Sequence, residues 1–325
     1  MRLPRRQFLH LAAGAAALPV TSRFAQAETY PSRPVHLLVG FAPGGSADIL
    51  GRLMGQWLSE RLGQQFIVEN RAGAGTNIAT EAVISAPPDG YTLLFVTGAN
   101  FINATLYSNL KFNFMHDLAP VALLAREPGA MVVHPSVPAK SLAEFLAYAK
   151  ANPGKITMAS GGNGAPSHIS GEMFKMLAGV DMVHVPYRGA GPALTGVLGG
   201  QAQVYFSPMS ATIGYVRAGT LRALAVTTAH RSDALPELPA IGELVAGYDA
   251  AQLYGIAAPK ATPADIVGRL NKAINEVLAD GKAKARLADL GETPLGGSPA
   301  EFAKVIAEET ERWGKVVKFS GAKID

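Results

Sequence analysis

The chain has 325 residues, 29 of them basic and 25 acidic, with a formal charge of +4 and no cysteine. Without cysteine there is no disulfide, no thiolate-ligated zinc and no thiol nucleophile. Four arginines (Arg2, Arg5, Arg6 and Arg23) fall within residues 1–27, which hold no acid, so the remainder balances at 25 basic against 25 acidic. A basic surface for nucleic acid or anionic lipid is therefore not expected.

The first 27 residues read as an export signal. Arg5-Arg6-Gln7-Phe8-Leu9 is a basic start, Leu9 to Val20 a short Ala-rich apolar run, and Ala25-Gln26-Ala27 a small-residue cleavage site. The apolar run falls short of the ~20 residues that a spanning helix needs. No integral membrane protein is expected, and the destination is the periplasm, with cleavage near Ala27. The arginine pair followed by Phe8-Leu9 resembles a twin-arginine signal; an ordinary secretory peptide with a chance pair is the alternative.

From there short apolar runs alternate with amphipathic ones. Pro34–Phe41 reads as a strand buried on both faces. Ala47–Leu62 reads as a helix, with Leu50, Leu53, Met54, Trp57, Leu58 and Leu62 at helical spacing. Gln65–Glu69 is a strand and Thr76–Ser85 a helix, stopped by Pro87-Pro88-Asp89-Gly90. Tyr91–Thr97 is a third strand. The alternation predicts a parallel sheet with helices on its faces.

The pattern then restarts. Val121–Leu124 and Ala130–Val133 are extended, Leu142–Ala151 is a helix, Lys155–Ala159 a strand and Ser167–Leu177 a helix. Met182–Val185, Ala193–Leu198, Ala202–Phe206 and Leu221–Val226 continue the alternation. After the strand-like Leu253–Ala258, three helices are expected at Pro263–Ala279, Lys282–Leu290 and Pro299–Phe319. Thr262-Pro263 and Ser298-Pro299 serve as cap and first-turn pairs. No period of 20–50 residues recurs, so a solenoid is not expected.

About 300 residues with two such sets suit two α/β lobes around a central cleft. The expected division is 28–127 plus 250–325 for one lobe and 128–249 for the other. No linker separates them, so the chain should cross twice, near Ala119–Pro128 and Asp249–Pro259.

Two loops stand out. The first strand runs into Phe41-Ala42-Pro43-Gly44-Gly45-Ser46-Ala47-Asp48 and then a helix. Ligands of open α/β sheets bind beyond the carboxyl ends of strands. Glycines that bare the backbone N–H, beside a helix N-terminus, suit an anion; a plain strand-to-helix turn with Asp48 as a first-turn charge is the other reading. No Gly-Lys-Ser/Thr follows, which excludes a P-loop. Ser160-Gly161-Gly162-Asn163-Gly164-Ala165-Pro166-Ser167-His168 repeats this chemistry after the strand at Lys155–Ala159. Two such loops suggest a carboxylate gripped from both sides.

His168 can hydrogen-bond a carboxylate or cap its own helix turn. Ser167 and His168 are adjacent on a helix and point about 100° apart, which is poor geometry for a nucleophile and its base. No Gly-x-Ser-x-Gly elbow is present, and the histidines have no zinc-ligand spacing. Arg188, in Tyr187-Arg188-Gly189-Ala190-Gly191-Pro192, is either an anion partner or a solvated surface residue. Asn70-Arg71-Ala72-Gly73-Ala74-Gly75-Thr76 lacks the full dinucleotide spacing. Gly98 and Asn100, after the third strand, are further candidate walls of the cleft. No metal and no cofactor is expected.

Several segments, in order along the chain, resemble the substrate-binding receptors of tripartite tricarboxylate transporters, the Bug family. They are Phe41-Ala42-Pro43-Gly44-Gly45-Ser46-Ala47-Asp48, Val68-Glu69-Asn70-Arg71-Ala72-Gly73-Ala74-Gly75 and Pro88-Asp89-Gly90-Tyr91-Thr92-Leu93-Leu94. Ala149-Lys150-Ala151-Asn152-Pro153-Gly154-Lys155, His184-Val185-Pro186-Tyr187-Arg188-Gly189 and Ala258-Pro259 follow. The resemblance implies a periplasmic binding protein of the type II-like Venus-flytrap fold, monomeric. It would capture a di- or tricarboxylate or an aromatic acid and deliver it to a membrane permease.

The same resemblance points to Phe41, Pro43, Gly44, Gly45, Ser46 and Asp48 in one lobe, and to Ser160, Gly161, Gly164 and His168 in the other. Two positions depart from it: Ser207 stands where members often carry Asp, and Leu253 where they often carry Trp. If that Asp holds an amino group, Ser207 argues against an amino-acid ligand. A sensor adaptor for a signalling partner and a hydrolase or isomerase using His168 are the competing readings.

Overall fold

The computed structural model describes residues 30–322 apart from residue 234. The segment read as an export signal lies outside the described residues. Eleven strands among them form two sheets.

The first sheet holds β1 (Val35–Val39), β2 (Phe66–Asn70), β3 (Thr92–Val96), β4 (Leu118–Glu127), β10 (Gln252–Pro259) and β11 (Thr293–Pro294), in the order β11-β4-β10-β3-β1-β2. The second holds β5 (Gly129–Val133), β6 (Thr157–Ser160), β7 (Val183–Pro186), β8 (Val204–Pro208) and β9 (Arg222–Val226), in the order β7-β6-β8-β5-β9.

Each sheet is mixed, where the alternation alone predicts parallel pairing. β1 lies parallel to β2 and β3, and β6 parallel to β7 and β8. β10 is antiparallel to both β3 and β4, and β5 to both β8 and β9. The reversed strands are those beside the crossings. β4 runs through Pro128 straight into β5 of the other sheet, and the chain returns through Tyr248–Ala251 into β10. A strand leaving one sheet and a strand entering it on adjacent tracks must run in opposite directions.

Helices cover the sheets: α1 (Ser46–Leu62), α2 (Asn77–Ile84), α3 (Gly98–Leu106), α4 (Phe114–Asp117), α5 (Leu142–Ala151), α6 (Pro166–Ala178), α7 (Ala190–Leu198) and α8 (Met209–Arg217), then α9 (Ala264–Ala279), α10 (Gly281–Asp289) and α11 (Pro299–Ser320). The sequence pattern does not announce α3 or α8. Both begin just after a strand, α3 following β3 and α8 following β8. α3 is secured by a capping box in which the Asn100 side chain accepts the Thr97 N–H at 2.9 Å.

The elements that carry the two Gly-rich loops are packed into the apolar clusters. β1 buries Val35, Leu37 and Val39 against one side of its sheet, where Leu50, Met54 and Leu58 of α1 meet them. Those helix residues recur at i, i+4 and i+8, one stripe of a 3.6-residue period. A larger apolar cluster runs from Phe101 and Ile102 on α3 through Ile169 and Phe174 on α6 to Trp313 on α11. It is continuous across the two sheets, so α11 braces both.

Candidate functional site

Four helices begin at one cavity between the sheets. Gly45, the N-cap of α1, lines it together with Ser46 and Ala47. Ala165, the N-cap of α6, lines it with Pro166 and Ser167. Ala190 opens α7 there and Pro208 caps α8 there. Phe41, Gly161, Tyr205, Gln252 and Tyr254 complete the wall. None of these residues carries a formal charge. The first turn of a helix leaves N–H groups without intrahelical acceptors, and the helix dipole makes that end positive. These ends around a neutral wall form a region of positive potential suited to an anion, with α8 already turning its Ser210 N–H to the buried Glu127 carboxyl.

The loop after β1 is held by its own polar residues. Asp48 accepts the Gly44 N–H at 3.0 Å and the Asn70 amide at 2.9 Å, and pairs with Arg52 at 2.8 Å. Burial raises the Asp48 pKa, but the bonds from Arg52, Gly44 and Asn70 outweigh it and hold the carboxyl below its usual range. Gly44 supplies the positive φ of 87° that the turn needs. Asp48 and Gly44 thus satisfy each other, and neither lines the cavity. Gly45 and Ser46, the next residues along, do.

The second loop is organised similarly. His168 Nδ1 accepts the Gly164 N–H at 3.0 Å. The imidazole stacks on His184 with centroids 3.8 Å apart and planes 12° apart. Burial, with Lys175 nearby, pushes the His168 pKa down to about 4, and burial with His168 does the same for His184. Ser160 Oγ lies 2.5 Å from His184 Nε2 and accepts the Gly162 N–H at 3.1 Å. His168, Gly164 and Ser160 therefore form a neutral frame behind the loop, and Gly161 is the one loop glycine on the cavity wall. The Gly161 N–H donates to Ser167 Oγ at 3.0 Å.

The remaining candidates fall elsewhere. Asn100 donates to the Thr76 and Thr80 hydroxyls at 3.1 and 3.0 Å, inside the first lobe. Gly98 lies against Pro166, a position where an added Cβ would stand 3.1 Å from its ring. Ser207 Oγ bonds Thr212 at 2.8 Å and the Ala130 carbonyl at 3.2 Å, out of reach of the cavity that Pro208 touches. Arg188 is exposed and lines a second cavity at the cleft mouth, with Phe41, Gly73, Tyr107 and Gly162.

Tyr205, Gln252 and Tyr254 come from strands β8 and β10, where no sequence motif marks them. Tyr254 is buried, its hydroxyl 2.8 Å from Ser46 Oγ and hydrogen-bonded to Glu127. The Tyr205 hydroxyl is buried with no well-formed hydrogen bond, beside Ser167.

The loops of the two sheets also touch across the cleft. An added Cβ on Gly45 would stand 2.9 Å from Ala190 Cβ, and one on Gly191 2.7 Å from the Pro43 carbonyl oxygen. Gly189, with φ of 126°, packs on Ala42. These glycines let the β1–α1 loop and the start of α7 close on each other.

The model of the tripartite tricarboxylate transporter family receptor, TctC, matches residues 50–322. The chain belongs to this receptor family. It is 35% identical to Protein BugT of Bordetella pertussis over 97% of this chain and 96% of BugT. Among solved structures, an R. palustris protein with adipate superposes with a TM-score of 0.88 at 36% identity, covering 91% of this chain and all of that one. MatC from Rhodopseudomonas palustris with bound malate gives 0.83 at 31%, over 89% of this chain and all of MatC. The receptor thus has the two-lobed periplasmic binding protein fold, and its relatives are solute receptors. Among the described residues no helix is long and apolar enough to cross a membrane.

Proposed function

We propose that this receptor captures a small organic dicarboxylate in the periplasm, closes its two lobes around it, and presents the closed form to the membrane permease of a tripartite transporter. The observation that carries the reading is the convergence of four helix N-termini on one uncharged cavity. Adipate and malate in two relatives support the ligand class. Gly45, Ser46 and Ser167 would hold carboxylate oxygens through first-turn N–H groups and hydroxyls, and Gly161 would shape the opposite wall. Charge-assisted bonds of this kind are short and strong. Phe41, Pro208 and the tyrosine rings would cover the methylene part of the ligand. Movement about Pro128 and residues 249–251, where the chain crosses between sheets, would open and close the cleft.

Binding rather than turnover is the role of the site. Supporting this, His168 is neutral, bonded to its own loop and away from the cavity wall. Arg188 at the cleft mouth would draw anions in without holding them in the closed form.

A thermal-shift panel of organic acids that includes adipate and malate tests the proposal, because a ligand that binds only the folded state raises the melting temperature. At least one dicarboxylate should stabilise the wild type. Gly45→Asp, which adds charge and bulk to the wall, should abolish that shift while leaving the unliganded melting temperature nearly unchanged. A full ligand shift in Gly45→Asp would remove this cavity as the site.

A further inference from the structure

Behind the cavity wall lies a pair of buried acids that the binding reading does not use. Glu127 ends β4 at the crossing between lobes and is fully buried. Its Oε1 accepts both the Ser210 N–H at 2.6 Å and the Ser210 hydroxyl at 2.7 Å. Its Oε2 meets the Tyr254 hydroxyl, which lies 2.8 Å from Ser46 Oγ on the cavity wall. Gln252 Oε1 stands 3.3 Å from the same hydroxyl. Glu292 is 3% exposed, and neither of its oxygens makes a well-formed hydrogen bond among the described residues; the groups beside it are the Glu127 carboxyl and the Ser210 hydroxyl.

We infer that the proton on Glu127 sets the direction of the Tyr254–Ser46 hydroxyl chain, and so decides whether Ser46 offers the bound anion a donor or a lone pair. The inference rests on the proposed carboxylate site at Ser46. Two contacting carboxyls without a buried cation cannot both ionise at ordinary cost. Glu292 keeps its proton and through it donates a hydrogen bond to Glu127. Oε1 of Glu127 is already an acceptor for two Ser210 donors, so a proton on Glu127 itself sits at Oε2, facing Tyr254.

With that proton present, Oε2–H donates to the Tyr254 oxygen, Tyr254 O–H donates to Ser46 Oγ, and Ser46 O–H is released toward the cavity. Without it, Tyr254 O–H turns to the Glu127 carboxylate and Ser46 O–H turns to the tyrosine. Ser46 then faces an anionic ligand with lone pairs, and a charge stands behind a wall that has none to screen it. Burial raises the pKa of both acids.

The other titratable groups around the pair do not neutralise it. Tyr205 on β8 and Tyr254 on β10 are themselves raised by burial and by the Glu127 charge. The cavity that Glu292 lines on the far side also holds Arg126, Asp249, His230, Arg231 and Asp233. There Arg126 lies 3.8 Å from Asp249 and Arg231 lies 2.9 Å from Glu243.

Anion binding and protonation of Glu127 are then linked. Titration calorimetry of the tightest-binding acid of the panel, in buffers of different ionisation enthalpy between about pH 6 and 9, reads the link directly. The wild type should take up a proton on binding wherever Glu127 has lost its proton in the free protein, with affinity falling by up to about tenfold per pH unit as pH rises there. Glu127→Gln is the conservative replacement: its amide can donate to Tyr254 and still accept from Ser210. It should bind without proton uptake, with a flat pH profile. Tyr254→Phe should weaken binding severalfold and also flatten the profile.

A Glu127→Gln protein that melts normally yet keeps the alkaline loss overturns the inference, as does a wild type with no proton uptake across the range. Ser46→Ala separates the two readings. If it binds as well as the wild type, the site itself is misplaced, as it is if no acid of the panel binds. If it binds weakly while Glu127→Gln retains the wild-type profile, only the proton link falls.

Discussion

Gly45→Ser isolates the bulk component of the cleft contact. The backbone at Gly45 is extended, φ −91° and ψ 173°, so any side chain is tolerated within its own lobe. Serine is also a better helix N-cap, because its hydroxyl can accept the N–H of the first turn. The unliganded protein should therefore be as stable as the wild type or slightly more so.

Across the cleft the outcome differs. The new Cβ would stand 2.9 Å from Ala190 Cβ and 3.4 Å from the Gly191 N, where ordinary contacts begin at 3.4 Å. Neither side can yield easily. The β1–α1 loop is braced by Asp48 on Gly44 and Asn70, and Ala190 is fixed at the first turn of α7. Overpacking of this kind costs about 1–3 kcal/mol. The cost falls only on the closed form, so affinity should drop about 5- to 150-fold. Calorimetry with the panel's best ligand measures the affinity, and small-angle scattering with and without that ligand measures closure. Unchanged affinity together with a normal ligand-induced compaction would refute the argument that these loops meet in the bound state.

Three further outcomes follow from the buried polar groups. His168 is held neutral with its pKa lowered from 6.5 to about 4, while in the unfolded chain it takes a proton below 6.5. Its contribution is complete above about pH 6.5 and is lost as pH falls toward 4, by about 3 kcal/mol in all. Urea unfolding across that range should show the loss, and His168→Asn should reduce the slope. Glu292 has the opposite sign: its pKa is raised well above 4.5, so the folded state holds a proton that the unfolded chain releases, and stability falls as pH rises past 4.5. Glu292→Gln should therefore melt higher than the wild type near pH 8, with the difference closing below about pH 4.5. Asn100→Ala removes the cap on Thr97 and takes away the amide donor to the Thr76 and Thr80 hydroxyl oxygens, leaving Thr80 only its bond to the Thr76 carbonyl. It should cost about 1–3 kcal/mol in chemical denaturation and leave ligand affinity within about twofold.

The legible part of the site is the part made of local sequence. Gly45, Ser46 and Gly161 lie in strand-to-helix loops whose glycines, hydroxyls and following helices can be read without knowing the fold, and all three line the cavity. Their polar neighbours read the same way but have another use. Asp48 bonds Gly44 four residues away, and His168 bonds Gly164 four residues away. A polar residue at that spacing from a loop glycine can stabilise the loop or meet a ligand, and composition does not distinguish the two.

Tyr205, Gln252 and Tyr254 were hidden for a different reason. β8 is buried along its whole length, and β10 nearly so, so no polar alternation marks which side chains face the cleft. Tyr254 meets Ser46 across 208 positions of chain. The same long-range pairing brings Glu127 to Ser210 and Tyr254, and none of these residues has a motif around it. The ligand-facing surface is therefore written locally in loops, whereas the groups that set its protonation are written in strands that meet only after folding. Substitutions in the loops should change which anion is held, and substitutions at Glu127 or Tyr254 should change the pH at which it is held.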